Sequence, residues 1–313
     1  MKIKKYDAIV VGSGETGGIA AKELAERGLE TLVLEAGPSL DEKLFQKPPQ
    51  PMSGIGSVTR IKAAFKGQHI QARASFFAPE KSFLFVNDWM HPYKSSDDFF
   101  LFLRGKQVGG RFLSWGRVAL RMSDYAFRSY SLEGVGFDWP IDYEELSPYY
   151  EHVENFLGLI GRDEGIPFVP DGKYMAEAGH SKLELEFKKK IEARWPDRKS
   201  IAWRYVQKSA TPEGPDNKRT TSPLEAARIT GRMEIRSNAV VAKINTDPIS
   251  GKATGVTYID TIKKERFEVK ANVMVICAST IEFWGVVENV VHIFRSMRHE
   301  IDRFLSENYG VSD

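Results

Sequence analysis

Cysteine is nearly absent from this chain: Cys277 is the only one in 313 residues. A lone thiol excludes an intrachain disulfide and any metal centre built on paired cysteines, and no metal is expected. A surplus of charge is missing too, with 44 Lys and Arg against 42 Asp and Glu for a formal net charge of +2. That balance argues against a nucleic-acid binder, which depends on neutralising phosphates. Local basic runs such as Lys188-Lys189-Lys190 read as a solvated helix face. No stretch has the apolar length of a membrane span, so membrane insertion is not expected. Three lysines stand in residues 1–5, but the apolar run behind them is too short for a signal peptide. The reading is a soluble cytoplasmic protein, and 42% apolar with 27% charged residues is the balance of a globular core.

What is present is sharpest in the first forty residues. Tyr6-Asp7-Ala8-Ile9-Val10-Val11 is a short β-branched run, as for a strand buried on both faces. Gly12-Ser13-Gly14-Glu15-Thr16-Gly17-Gly18 follows at once. A helical pattern through Ile19, Ala20, Leu24 and Ala25 ends at Gly28, and a second strand, Thr31-Leu32-Val33-Leu34, leads to Glu35. Strand, glycine turn, helix, strand and acid form the dinucleotide-binding arrangement. Gly12 permits the tight turn, Gly14 lets a pyrophosphate approach the backbone, and Gly17 lets the helix pack on the strand. The amides at the helix start face the phosphates. Glu35 can accept from both ribose hydroxyls and would repel a 2′-phosphate, which favours FAD or NAD over NADP.

A second glycine segment runs Arg104-Gly105-Lys106-Gln107-Val108-Gly109-Gly110 and continues to Ser114-Trp115-Gly116-Arg117. Two readings stand side by side. It is a second backbone approach to a long, doubly charged cofactor, or a loop that needs glycine for left-handed backbone angles.

With these residues in view the sequence resembles the glucose-methanol-choline oxidoreductases. Val33-Leu34-Glu35-Ala36-Gly37 is similar to the second-strand signature of that family, and Arg104–Gly110 to its segment along the flavin and pyrophosphate. Asp138-Trp139-Pro140-Ile141-Asp142-Tyr143 with Leu146-Ser147-Pro148-Tyr149-Tyr150-Glu151 resembles the bacterial branch, where it introduces a helix ahead of the substrate domain. Ser147 and Pro148 read as the cap and first residue of that helix, Tyr149, Val153, Phe156 and Leu157 as its apolar face, and Gly158 as its end. Arg111 departs from the small hydroxyl residue usual after the paired glycines. Trp115-Gly116 stands where many members have Asn-Gly, as is common in the bacterial branch. The cysteine cluster frequent there is missing.

The resemblance implies an α/β fold: a Rossmann-like FAD-binding domain with a parallel sheet plus a β-hairpin layer, and a partial α+β substrate domain. The cofactor domain is expected over residues 1–282, with 60–100 and 160–220 as substrate-domain or lid excursions. Return strands are expected at 233–236, 239–244, 253–260, 264–270 and 273–279. Val241 is either the residue whose backbone meets the adenine or an ordinary sheet residue. Ala278 falls where the last strand passes the cofactor, and Cys277 beside it reads as a small buried apolar residue. The implied FAD contacts are therefore Gly12, Ser13, Gly14, Glu15, Thr16, Gly17, Glu35, Ala36, Arg104, Val108, Gly109, Gly110, Trp115, Gly116, Val241 and Ala278.

The implied activity is hydride transfer from a CH–OH carbon of an alcohol or sugar to flavin N5 after a base takes the hydroxyl proton. That base, a histidine in the family, would follow residues 273–279. Here residues 283–313 instead read as one divergent amphipathic helix with His292 and His299, and none of the six histidines is assigned as catalytic. The alternative expectation is an FAD-binding remnant of a truncated or split gene, inactive alone or completed by a second polypeptide.

Overall fold

The computed structural model describes residues 6–45, 57–74, 77, 79–93, 100–206 and 222–279. The helix expected over 283–313, with His292 and His299, lies outside the described residues, as does nearly all of the polar stretch 207–222, which reads as an exposed loop. Two compact units are present, one built from the segments before Trp115 and after Thr221, the other from the segment between. In chain order, the first unit opens with β1 (Ala8–Val11), α1 (Glu15–Glu26), β2 (Thr31–Leu34) and α2 (Ser57–Ala63). The second holds α3 (Asp124–Phe127), α4 (Ser129–Glu133), α5 (Tyr143–Leu157), β3 (Leu159–Gly161), β4 (Ala176–Glu177), α6 (Lys182–Arg194) and β5 (Tyr205–Val206). The chain then returns to the first with α7 (Pro223–Ile229), β6 (Met233–Arg236), β7 (Ala239–Thr246), β8 (Ala253–Asp260), β9 (Glu265–Lys270) and β10 (Val273–Ile276). No described helix is long and apolar enough to cross a membrane.

The first unit has the expected α/β architecture. A four-stranded sheet runs in the order β10-β1-β2-β6 with every pairing parallel. Its two central strands are buried at every residue, which is why both read as unbroken apolar or β-branched runs. Alternation then divides their side chains between two layers. Ile9, Val11, Leu32 and Leu34 pack with Val241, Ile244, Val256 and Tyr258 of the antiparallel sheet β7-β8-β9. On the opposite face Val10 and Val33 meet Ala21 and Ala25 of α1 and Ala227 of α7. Small residues on those helices bring their backbones close to the sheet. The approach is tightest at Gly17, where an added Cβ would overlap the carbonyl oxygen of Gly12.

A polar cluster joins the two sheets of this unit. Tyr6 OH donates to Glu234 Oε2 at 2.6 Å, while Arg236 donates to Tyr6 OH and to Tyr258 OH, each at 2.9 Å. Burial, followed by the hydrogen bond to Glu234, pushes the Tyr6 phenol up to about 12. Tyr6 is only 2% exposed, and its proton is directed to the carboxylate of the partly buried Glu234.

In the second unit the helix expected from Pro148 begins five residues earlier. Asp142 caps α5 by accepting from Glu145 N at 3.0 Å, and the Glu145 side chain returns the bond to Asp142 N at 3.1 Å. This reciprocal box satisfies two orphan amides and outweighs the intrahelical bond forfeited at Pro148, which sits inside the helix. The inward stripe also differs from the expected one. Tyr149 is exposed, and Glu154 is buried instead, because Arg121 grips its carboxylate with two bonds of 2.8 and 2.6 Å. Lys173 N donates to the same carboxylate at 2.6 Å, and Tyr143 OH accepts from Arg121 at 3.0 Å. A hydrophobic pattern cannot register a carboxylate made buriable by an arginine far away in the chain. The three-stranded sheet β4-β3-β5 completes the unit; its strands have at most three residues, too short to carry a periodic signal.

Two measurements check this account. Gly17→Ala is expected to cost about 2–3 kcal/mol in denaturant unfolding, since a close-packed backbone has to shift; an unchanged midpoint would contradict the contact. Between pH 10 and 12 the folded chain holds the Tyr6 proton that the unfolded chain releases, so stability falls as pH rises through this window, by about 2–3 kcal/mol. Tyr6→Phe should flatten that part of the stability–pH profile.

Candidate functional site

At the carboxyl end of the parallel strands the first unit contains a cavity of about 390 Å³, within the range of small-molecule sites. Open α/β sheets place ligands at this end because loops diverge there. Gly12, Ser13, Gly14, Glu15 and Thr16 form one wall, and Glu35 and Ala36 continue it from the end of β2. Arg104 and Gly110 contribute from the second glycine segment, Val241 from β7 and Ala278 from the end of β10.

The remaining candidates are placed differently. Gly17 lies behind the turn, against Gly12. Val108 and Gly109 support the wall: Val108 N donates to the Pro38 carbonyl at 3.0 Å, and Gly109 N to Ser13 Oγ at 3.0 Å. Trp115 and Gly116 belong to the second unit.

The turn itself is shaped for a ligand with negative charge. Gly12 has φ +94°, and a Cβ there would come within 2.8 Å of the Cys277 carbonyl oxygen, so the turn fits only glycine. A Cβ on Gly14, by contrast, would meet nothing within 4 Å; its open side faces the space a ligand would fill. No side chain caps α1 at Gly14. The first helical bond is Gly18 N to Gly14 O at 2.8 Å, leaving the amides of Glu15, Thr16 and Gly17 without intrahelical acceptors. These amides and the dipole of a 12-residue helix favour an anion at this point.

Glu35, 7% exposed, is held by three protein donors. Ser13 N and Ser13 Oγ both donate to its Oε2, at 3.0 and 2.6 Å, and Gly37 N donates to Oε1 at 2.9 Å. The Ser13 hydroxyl also accepts from Gly109 N, tying the two glycine segments together across 96 positions. Those segments touch by backbone: a Cβ on Gly110 would fall 2.9 Å from Gly14 Cα. Gly109 and Gly110 both have positive φ, +89° and +50°. The segment therefore needs glycine for its angles and for its close approach alike.

Arg104 is clamped beside the cavity. Its guanidinium lies 5.3 Å from the Tyr93 ring centroid and 5.4 Å from that of Phe102, and it donates to the His91 carbonyl. Sequence reasoning did not single out Gln107, which is 2% exposed and braces the segment by donating to Gly110 O at 2.9 Å. Nor did it assign Val86, Phe102, Lys106, Arg111 or Cys277 to the wall. An amide inside a glycine motif was the available hint for Gln107 and a basic residue in the same motif that for Lys106; Val86 and Phe102 have no local signature. Burial raises the Cys277 thiol above its ordinary value, which keeps it protonated at neutral pH.

No protein-family profile matches the chain. Individual relatives do. It is 27% identical to a gluconate 2-dehydrogenase flavoprotein of Pantoea cypripedii, the match covering 83% of this chain and 48% of the relative. It is 26% identical to a 2-methyl-1,2-propanediol dehydrogenase of Mycolicibacterium austroafricanum, over 88% of this chain and 49% of the relative. The chain thus spans about half the length of these relatives. Pyridoxine 4-oxidase from Mesorbium loti shares the fold with a TM-score of 0.53 at 15% identity, over 90% of this chain and 51% of the other. The matched relatives agree with the motifs carried by Glu35 and the two glycine segments: the chain is related to the glucose-methanol-choline flavin oxidoreductases through most of its length.

Proposed function

We propose that this chain binds FAD in the cavity beside α1 and serves as the cofactor domain of an oxidoreductase acting on CH–OH groups of alcohols or sugars. The observation that carries the reading is the uncapped start of α1 at Gly14, whose open side leaves space for a diphosphate. The amides of Glu15 and Thr16 would receive the diphosphate, with Arg104 and Lys106 adding positive charge on the same cavity. Glu35 would take the adenosine sugar. Val241 would offer its backbone to the adenine, next to an irregularity in the β7–β8 register between Val241 and Lys243. When bound, FAD supplies the two-electron acceptor for hydride from a carbinol carbon. The protein's share is to fix the cofactor by backbone contacts that cost no side-chain ordering. The names of the relatives, a gluconate dehydrogenase and a diol dehydrogenase, support small hydroxylated substrates.

The reading is tested with purified protein and FAD. A retained or restored flavin spectrum is expected, together with quenched flavin fluorescence on binding. Gly14→Ala is expected to cost the FAD-free protein no more than about 1 kcal/mol, because its extended backbone angles suit alanine although alanine is a poorer helix N-cap than glycine. The same change should weaken FAD at least about tenfold, since the methyl occupies the ligand's space. Unaltered FAD binding by that variant would refute the placement. Bleaching of the bound flavin by a member of a polyol and sugar panel would extend the reading to catalysis by the chain alone; a chain that binds FAD and bleaches with none acts as a cofactor module.

A further inference from the structure

Large apolar side chains scattered singly over a surface are ordinary, whereas adjoining ones mark an interaction site. Four adjoin around α2. Ile61 and Phe65 stand one helical turn apart at 53% and 76% exposure, and Trp89 and Met90 follow each other in a turn at 62% and 75%. Ala63 and Gly67 are buried, so the α2 segment turns small residues inward and large ones outward, against the usual sense of burial. Asn87 braces the two segments together. Its Nδ2 donates to the Lys66 carbonyl at 2.9 Å, and its Oδ1 accepts from Trp89 N and Met90 N at 3.0 and 3.2 Å. Asp88 N adds a bond to the Gly67 carbonyl at 2.6 Å. The charge around these side chains has one sign. Residues 57–74 hold four basic residues and no acidic one. Lys62 and Lys66 are exposed beside Ile61 and Phe65, while the carboxylate of Asp88 is fully buried.

We propose that this face docks on an anionic lipid bilayer, with Ile61, Phe65, Trp89 and Met90 entering the boundary of headgroups and acyl chains while Lys62 and Lys66 meet acidic headgroups. A purely apolar partner would gain nothing from the lysines, and a basic one would be repelled. A plane of negative charge lying over hydrocarbon complements both features at once. Trp89 suits that boundary because its ring is apolar and its N–H is polar. The lysines suit it because their stems lie along apolar surface while their ammonium groups stay with the headgroups. The contact is peripheral, since no described helix is long and apolar enough to cross a membrane. It also stands apart from the cofactor reading, because none of these six residues lines the cavity beside α1.

The test is sedimentation of the full chain with vesicles of phosphatidylcholine alone and of phosphatidylcholine with about 30% phosphatidylserine. Binding to the anionic vesicles is expected to be at least about tenfold tighter than to the neutral ones, and to be lost in about 0.5 M NaCl. Phe65→Ala combined with Trp89→Ala should weaken it at least about tenfold. Lys62→Gln combined with Lys66→Gln should reduce the preference for anionic vesicles to about threefold or less. All four positions are exposed, so unfolding midpoints should not move. Should a variant prove unstable, brominated lipids decide on the unaltered protein: they should quench tryptophan fluorescence, and Trp89→Phe should remove that quenching. Failure to sediment with anionic vesicles overturns the inference, as does undiminished binding by the Phe65 and Trp89 double variant. Self-association of the unaltered chain in light scattering, lost in the same double variant, would assign the face to a second copy and overturn it as well.

Discussion

The first unit depends on backbone meeting backbone with no side chain between. Gly17 lies on the Gly12 carbonyl, Gly12 on the carbonyl of Cys277, Gly110 on Gly14, and Gly37 on the carbonyl of Lys106. Three of these contacts bring together segments distant in sequence, and each of the four would be opened by a single methyl group. Because close-packed interiors do not absorb such volume, these four glycines fix the distance from helix to strand and from one glycine segment to the other. The cavity is what remains when the backbones are held this close, and its wall is consequently rich in amides.

The layers behind the site follow from the same economy. A parallel strand buried on both faces must find apolar partners above and below. Alanines of α1 and α7 meet one face of the sheet, and larger side chains of the antiparallel sheet fill the other. Two polar clusters are satisfied within this interior. Tyr6, Glu234, Arg236 and Tyr258 form one, and Ser13, Glu35, Gly37 and Gly109 form the other. The first holds two sheets together; the second orients a carboxylate at the cavity. The second unit uses the same device in the bidentate pair of Arg121 and Glu154, where the ion pair takes the place of apolar packing.

Much of the first unit was legible in order of sequence. The spans Met233–Arg236 and Ala253–Asp260 were read as they occur, and β1, β2 and β10 lie within the runs expected for them. Hydrophobic runs bounded by Gly and Pro report burial directly. The start of α5 was not legible from Ser147-Pro148, since two capping signals competed and the stronger one, Asp142 with Glu145, lay upstream. The buried stripe of that helix was misjudged for a related reason: Glu154 is charged, and only its partner explains its burial.

The sequence by itself determined the strand, turn, helix and acid of the cofactor motif, because their spacing is local and each residue type answers a local backbone demand. It also carried the resemblance to the glucose-methanol-choline oxidoreductases, whose motifs are short and contiguous. Tertiary structure alone decided which residues become the wall: Val86, Phe102 and Lys106 join it because separate loops converge at one end of the sheet. It likewise decided the state of Glu35, whose acceptor positions are taken by Ser13 and Gly37. A carboxylate's identity is written in the chain; how many of its lone pairs stay free depends on which donors the fold brings within about 3 Å.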